Sequence, residues 1–229
     1  MLAYCAREHS ATHASAALSS ADDIKITVRA VGAHGSMPHT GTDAIVAGAS
    51  FITTVQQAAT RLMDSRDAGV ISFGLFQGGT VRNVLPESIR IEGTMRTTAV
   101  EVRDRLAQLL HDAARATELT FGVQIEIDVC KVAPVTMNHP MAVAAVTASA
   151  TRTIGADKVQ ENARGIMASE DFSELSARVP GAFFFVGHDS ATPHHPEFIF
   201  DPEIIPVGAE IFADLAKTRT SKTLNSKTN

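Results

Sequence analysis

Tryptophan is absent from this chain and tyrosine occurs once, at Tyr4. The stacked aromatic platform that holds single-stranded nucleic acid therefore has little to be built from. Positive charge is also short. Twenty Lys and Arg stand against 25 Asp and Glu, a net charge of -5 with an isoelectric point near 6.0. That removes the general basic field which DNA and RNA require, although a local Arg cluster still suits a small anion. No apolar run approaches the about 20 residues that cross a bilayer. Residues 1–20 are rich in Ala, Ser and His, carry Arg7 and Glu8 in their middle, and have no apolar core of a secretory signal. Neither nucleic acid nor membrane is an expected partner, and the cytoplasm is the expected compartment. Cys5 and Cys130 show no CxxC or comparable spacing, so both read as thiols of a reducing compartment.

What remains is an ordinary globular composition, 45% hydrophobic and 20% charged, in 229 residues. Residues 1–20 lack periodicity and read as a poorly ordered start. Ile24–Arg29 alternates apolar and polar residues as a half-buried strand does. After a loop punctuated by Gly32, Gly35, Pro38 and Gly41, a helical stripe runs through Ile45, Ala49, Ile52, Val55, Ala59 and Leu62, with Asp43 at its positive end. Gly69–Gln77 is β-prone, and Ile89, Ile91, Gly93 and Met95 alternate with polar residues. A second helical stripe follows (Val102, Leu106, Leu109, Leu110, Ala113, Ala114), then a strand with Val123, Ile125, Ile127 and Val129 on one face. The order is β-α-β-β-α-β over residues 21–133. It predicts a ferredoxin-like split βαβ, two helices covering one face of an antiparallel sheet.

Pro134 closes that unit. Residues 134–217 supply a small-residue helix over Met141–Thr153, a short helix over Asp171–Arg178, and the apolar run Gly181–Val186, which suits a strand buried on both faces. A last helix starts at Asp201-Pro202. One convincing strand and three helices are half of an α/β domain. Residues 218–229 read as a frayed tail.

Several residues fit chemistry. The loop after the apolar run, His188 to Pro196, holds His194 and His195, and strand C-termini of open α/β sheets are where ligands bind. Adjacent histidines seldom bind one ion, so at most one of this pair is a metal ligand; turn residues are the plainer reading. His34 and His39 lie in a Gly-rich turn, where an imidazole can donate to a developing oxyanion. Ser169-Glu170-Asp171 resembles a helix start with Ser169 as cap. Asn83 and Arg96 stand at strand ends and are unremarkable singly.

Together four segments carry a resemblance: "GAHGSMPHTGTDAI", "QGGTVRNVLPESIRIEGTMRT", "ASEDFSEL" with "VPGAFFFVG", and "PHHPEFIFDPEIIPVGAEIF". In this order and at these separations the chain resembles the aminoacylase and carboxypeptidase metallohydrolase superfamily, in its hippurate hydrolase and auxin-conjugate amidohydrolase branch, over about residues 16–217. The resemblance implies an α/β catalytic domain interrupted by a ferredoxin-like lid that forms a homodimer. It implies a divalent metal (Zn, Mn or Co) and a small N-acyl amino acid as substrate, hydrolysed by metal-activated water. His194 matches a metal-ligating His, with Pro193 in place of the usual Leu. His34 and His39 match lid histidines, one of which in relatives reaches the partner subunit's site. Asn83 and Arg96 match positions that grip the substrate's amino-acid end, and Glu170 and Asp171 match an element beside the site.

The family's remaining ligands, a His-x-Cys-x-x-His type segment, a Glu-Glu pair and a His shortly before the lid, have no counterpart here. Cys5, His9 and His13 sit in a small-residue, non-periodic context that does not favour a metal site. A catalytic dication needs about three protein ligands. The expectation is therefore an amidohydrolase-family chain that is inactive alone. The alternatives are a non-catalytic dimerisation module and a small-molecule-binding regulatory domain, the last disfavoured by the four motifs.

Overall fold

Alternation and helical stripes give way to named elements in the computed structural model, which describes residues 10–11, 15–161, 163–188, 190 and 195–225. In chain order these are β1 (Ser10–Ala11), β2 (Ala16–Leu18), β3 (Ala21–Arg29), β4 (Ala33–His34), α1 (Ala44–Arg61), β5 (Gly69–Gly78), β6 (Val84–Leu85), β7 (Ser88–Thr97), α2 (Val100–Phe121) and β8 (Gln124–Ala133). Then come β9 (Thr136–Met137), α3 (Pro140–Ile154), β10 (Val159–Gln160), α4 (Phe172–Ser176), β11 (Phe185–Val186) and α5 (Ile204–Asn225). None of the described helices is long and apolar enough to cross a membrane. The described residues divide into two compact units. One is Ser19–Val135 with Met167–Ser169, and the other takes the described parts of Met1–Leu18, Thr136–Ile166 and Glu170–Asn229.

The first unit is the expected split βαβ. Its sheet runs β5-β7-β3-β8, antiparallel throughout, with Ile26 opposite Ile91 and Ile127. Ile24, Ile26, Val28, Ile89, Ile91 and Met95 turn one way and are buried beneath α1 and α2. All six residues of the second predicted stripe, from Val102 to Ala114, lie in that core. On α1 the stripe is rotated. Ala44, Ala47, Gly48, Phe51 and Val55 face the sheet, whereas Ile45 and Leu62 are exposed. Gly48 explains the rotation: a Cβ there would lie 2.3 Å from Ile89 Cδ1, so helix and sheet approach along the glycine. Asp43 caps α1, its carboxylate accepting from the Ile45 and Val46 N–H groups at 2.9 and 3.0 Å. Gly122, at φ +66°, ends α2.

One charged pair lies inside this unit. Asp22 shares the buried face of β3 with Ile24, and its side chain is 0% exposed. Arg103 of α2 closes on it in a fork, Nη2 at 2.6 Å and Nε at 2.9 Å. Beside it the Ser20 and Thr97 hydroxyls bond at 2.9 Å. Asp22 is in phase with Ile24, Ile26 and Val28, so alternation points it inward; what the strand pattern does not show is the Arg103 that meets it there.

The second unit has short strands. β1 pairs parallel with β10 and antiparallel with β11, and β2 pairs with β9. Residues 16–18, expected in a loose start, are thus a paired strand. The apolar run is also less regular than expected. Only Phe185–Val186 is strand, and Phe183, Phe184 and Phe185 are half-buried instead of enclosed on both faces. Asn138 holds the run by its edge, donating to the Phe183 carbonyl at 2.8 Å and accepting from its N–H at 2.7 Å. α3 and α5 join through Ser149 Oγ, which donates to the Ile211 carbonyl at 2.9 Å, and through Arg152 with Asp214. α5 starts two residues later than Pro202, after a turn in which Asp201 accepts from the Glu203 N–H, and it continues through the expected tail to Asn225.

Replacing Arg103 by Met leaves Asp22 buried and uncompensated. We expect a loss of about 3–5 kcal/mol in urea unfolding, with Asp22→Asn/Arg103→Met recovering much of it. Single and double variants of equal stability would contradict this account.

Candidate functional site

His34 is placed by a two-strand ribbon in which Ala33 pairs with Leu85 and His34 with Val84. Its Nδ1 accepts from the Ser36 N–H at 3.2 Å and lies 2.9 Å from Ser36 Oγ. With Nδ1 accepting, the neutral ring carries its proton on Nε2, which is left as a donor toward solvent. The turn is closed by the Met37 N–H on the His34 carbonyl at 2.8 Å, and by the Gly35 N–H on the Asn83 carbonyl at 2.8 Å. Asn83 is thereby brought to His34 through its backbone, its side chain exposed. His39 lies in the short 3-10 turn Pro38–Thr40 of the same loop, also exposed. Three of the expected residues therefore form one cluster.

Arg96 is not in it. Ser88 and Arg96 are eight residues apart on β7, about 26 Å of strand. Arg96 is half-buried at the end away from the Asn83 loop, where Nη1 donates to Ser169 Oγ at 3.2 Å. Ser169 was expected to cap the helix after it. Its hydroxyl instead receives Arg96, and α4 begins at Phe172 with no side-chain cap. Arg96 meets no carboxylate among the described residues. A guanidinium held only by a hydroxyl keeps its fork available to an anion.

Glu170 and Asp171 follow Ser169 directly, in the other unit. The Asp171 N–H donates to Glu170 Oε1 at 3.1 Å. A proton shared with the Asp171 carboxyl raises the Glu170 pKa above the ordinary glutamate value, with desolvation and the like charge adding to it. Beyond α4, His188 packs edge-on against Phe198 and Phe200, ring centroids at 5.6 and 6.1 Å, and its buried Nδ1 has no hydrogen-bond partner. His195 is exposed, its Nδ1 accepting from the Glu197 N–H. His194 lies outside the described residues, as do Cys5, His9 and His13. Cys130 is a free, exposed thiol.

Among the described residues, no group of three or more His, Cys, Asp or Glu side chains converges on a point where a metal ion would sit. They do not by themselves form the donor set of a catalytic dication. The bonds of Ser36 to His34 and of Ser169 to Arg96 are what sequence reasoning missed. Ser36 was legible, two residues from His34 in a tight turn; Ser169 lies 73 residues from Arg96 and was not.

The first unit is a split βαβ that carries the exposed imidazoles of His34 and His39 and an arginine held by a hydroxyl, and the second is a mixed α/β unit. The sequence matches the peptidase family M20/M25/M40 over residues 8–218, and the chain belongs to that family. It is 30% identical to an N-acetyldiaminopimelate deacetylase of Streptococcus suis, over 87% of this chain and 53% of the relative. It is 29% identical to an N-acetylcysteine deacetylase of Bacillus subtilis, over 87% and 52%. A solved Bacillus subtilis protein, described as a dinuclear metal-binding peptidase of the M20 family, superposes with a TM-score of 0.75 at 25% identity, over 93% of this chain and 53% of that one. The chain spans about half the length of the curated relatives it matches.

The raised Glu170 pKa has a measurable consequence. Folding holds the shared proton, so its contribution to stability declines as pH rises above the ordinary glutamate range, where the folded chain must release it. Carbon-detected NMR titration of Glu170 should give an apparent pKa above that of an exposed glutamate, falling toward the ordinary value in Asp171→Asn. An unchanged value in that variant would remove the shared proton as the cause.

Proposed function

We propose that this chain serves the hydrolysis of N-acyl amino acids, hippurate-like compounds or similar amides, by gripping the substrate's amino-acid end and presenting lid histidines to its acyl carbonyl. The observation that carries this is the separation along β7. Arg96, with a free fork, stands at one end of the strand, and the His34–Asn83 cluster lies beyond the other. A substrate of amino-acid size cannot meet both in one protomer. It meets both where two lids are arranged as a pair, Arg96 from one subunit taking the carboxylate and a His34 Nε2–H from the partner donating to the carbonyl oxygen. Asn83 and His39 lie beside that donor, and by resemblance Glu170 and Asp171 also serve the substrate.

The surface supports a homodimer. β5 is an edge strand, and Ile45 and Val46 of α1 with Phe76, Val81 and Val84 are exposed large apolar residues (Val46 50%, Phe76 42%). A two-fold contact between such edges buries each patch against its own copy.

The divalent ion of such a reaction (Zn, Mn or Co) needs donors beyond the described residues. By resemblance His194 supplies one. The chain by itself is therefore inactive. A second reading, a non-catalytic binding module derived from the family, draws on the same shortage of converging ligands.

Assays of the purified chain with Zn²⁺, Mn²⁺ or Co²⁺ on N-acetyl- and N-benzoyl-amino acids should give no turnover above the metal controls. Turnover that disappears in His194→Ala would overturn the inactive reading. Binding of N-benzoyl-amino acids that is lost in Arg96→Met supports the gripping role; binding that ignores this change removes it.

Light scattering at micromolar concentration should return twice the 24.3 kDa chain mass. Val46→Glu, which places a charge in the apolar patch, should return the single-chain mass. A monomeric wild-type chain would count against the paired-lid arrangement.

A further inference from the structure

The sheet face turned away from α1 and α2 is covered by neither helix, and it holds a depression of about 400 Å³. A glycine opens it. Gly74 is the extra residue of a β-bulge in β5, and a Cβ built on it meets nothing within 4 Å. The floor there is backbone, with Leu75 beside it.

The rim carries both signs of charge. Lys25 is opposite Glu92, Asp23 opposite Thr94, and Ser72 opposite Thr94. Directly opposed residues of this kind have Cβ atoms about 5 Å apart. Glu92 pairs with Arg90 at 3.4 Å. Lys25 and Asp23 make no ion pair, and the Ser72 and Thr94 hydroxyls make no hydrogen bond, among the described residues. One ammonium, a carboxylate and two hydroxyls thus converge without partners around an open floor.

We propose that this depression is a binding site for a free α-amino acid, with Lys25 and the Thr94 and Ser72 hydroxyls on its carboxylate, Asp23 and Glu92 on its ammonium, and its side chain over Gly74 against Leu75. Both charges of an α-amino acid lie on one carbon, so adjacent rim groups on neighbouring strands match their spacing. A chloride or phosphate would use Lys25 and be repelled by Asp23 and Glu92. An amine alone would leave Lys25 unsatisfied. The site lies wholly within the lid unit and does not rest on the hydrolytic reading, since its occupant is recognised by an unmodified amino group that an N-acyl substrate lacks.

The test is a proton–nitrogen NMR titration of the full chain with L-leucine to about 10 mM, with N-acetyl-L-leucine and L-leucinamide as matched probes. Amide shifts at residues 23–25, 72–75 and 92–94 should saturate with leucine. Both matched probes should bind at least about tenfold more weakly there, one lacking the ammonium and the other the carboxylate. Lys25→Met and Gly74→Val, the latter filling open space on a strand, should each weaken binding by about tenfold with the melting temperature held. The proposal is overturned by an absence of shifts at these residues, by equal binding of N-acetyl-leucine, or by saturation that survives both substitutions. Shifts confined to residues around Arg96 would instead report the hydrolytic site.

Discussion

The split βαβ unit depends on burial from one side only. Two helices cover a single face of a four-stranded sheet, so Ile24, Ile26 and Val28 of β3, Ile89, Ile91 and Met95 of β7 and Ile125, Ile127 and Val129 of β8 point toward them, and the charged side chains point away or sit at an end. A slip of one residue would exchange the two sets. That constraint is why Arg96, Glu92, Lys25 and Asp23 are all on the uncovered face, and why the histidine turn is pushed to the rim. The one charge that breaks the rule, Asp22, is tolerated because Arg103 reaches it from α2 in a forked, buried bond.

The second unit lacks an equivalent constraint among its described residues. Its strands are two or three residues long, and the Phe183–Phe185 run rests against Phe172 and Phe212 rather than between two packed layers. Phe212 remains 62% exposed and Ile205 58%. Exposed apolar surface of this kind is what an α/β unit shows where further layers are wanting. It agrees with a chain that spans about half the length of its relatives, and it separates two properties of the protein. The first unit is built around a closed core; the described part of the second is not.

Chemistry divides in the same way. Local turns orient the exposed imidazole of His34, since Ser36 occupies its Nδ1 from two residues away. The placement of Arg96 depends on Ser169, whose hydroxyl accepts from it across 73 residues of chain. The polar depression on the open sheet face depends on neither; it follows from the bulge glycine Gly74 of β5.

Period-two and helical patterning by themselves determined the βαββαβ order, the stripe of α2 and the place of Asp43 at the start of α1, and four motifs carried the resemblance to the family, because each is written in residues close together in the chain. Tertiary structure alone decided the rest. Gly48 rotated α1 by letting it approach Ile89, Arg103 came from α2 to meet the inward Asp22, and Ser169 left its expected cap to meet Arg96. The apolar run at 182–186, read as a fully buried strand, stayed half-exposed. Each of these outcomes turns on what a distant segment brings to the site, and such contacts leave no periodicity for a sequence to display.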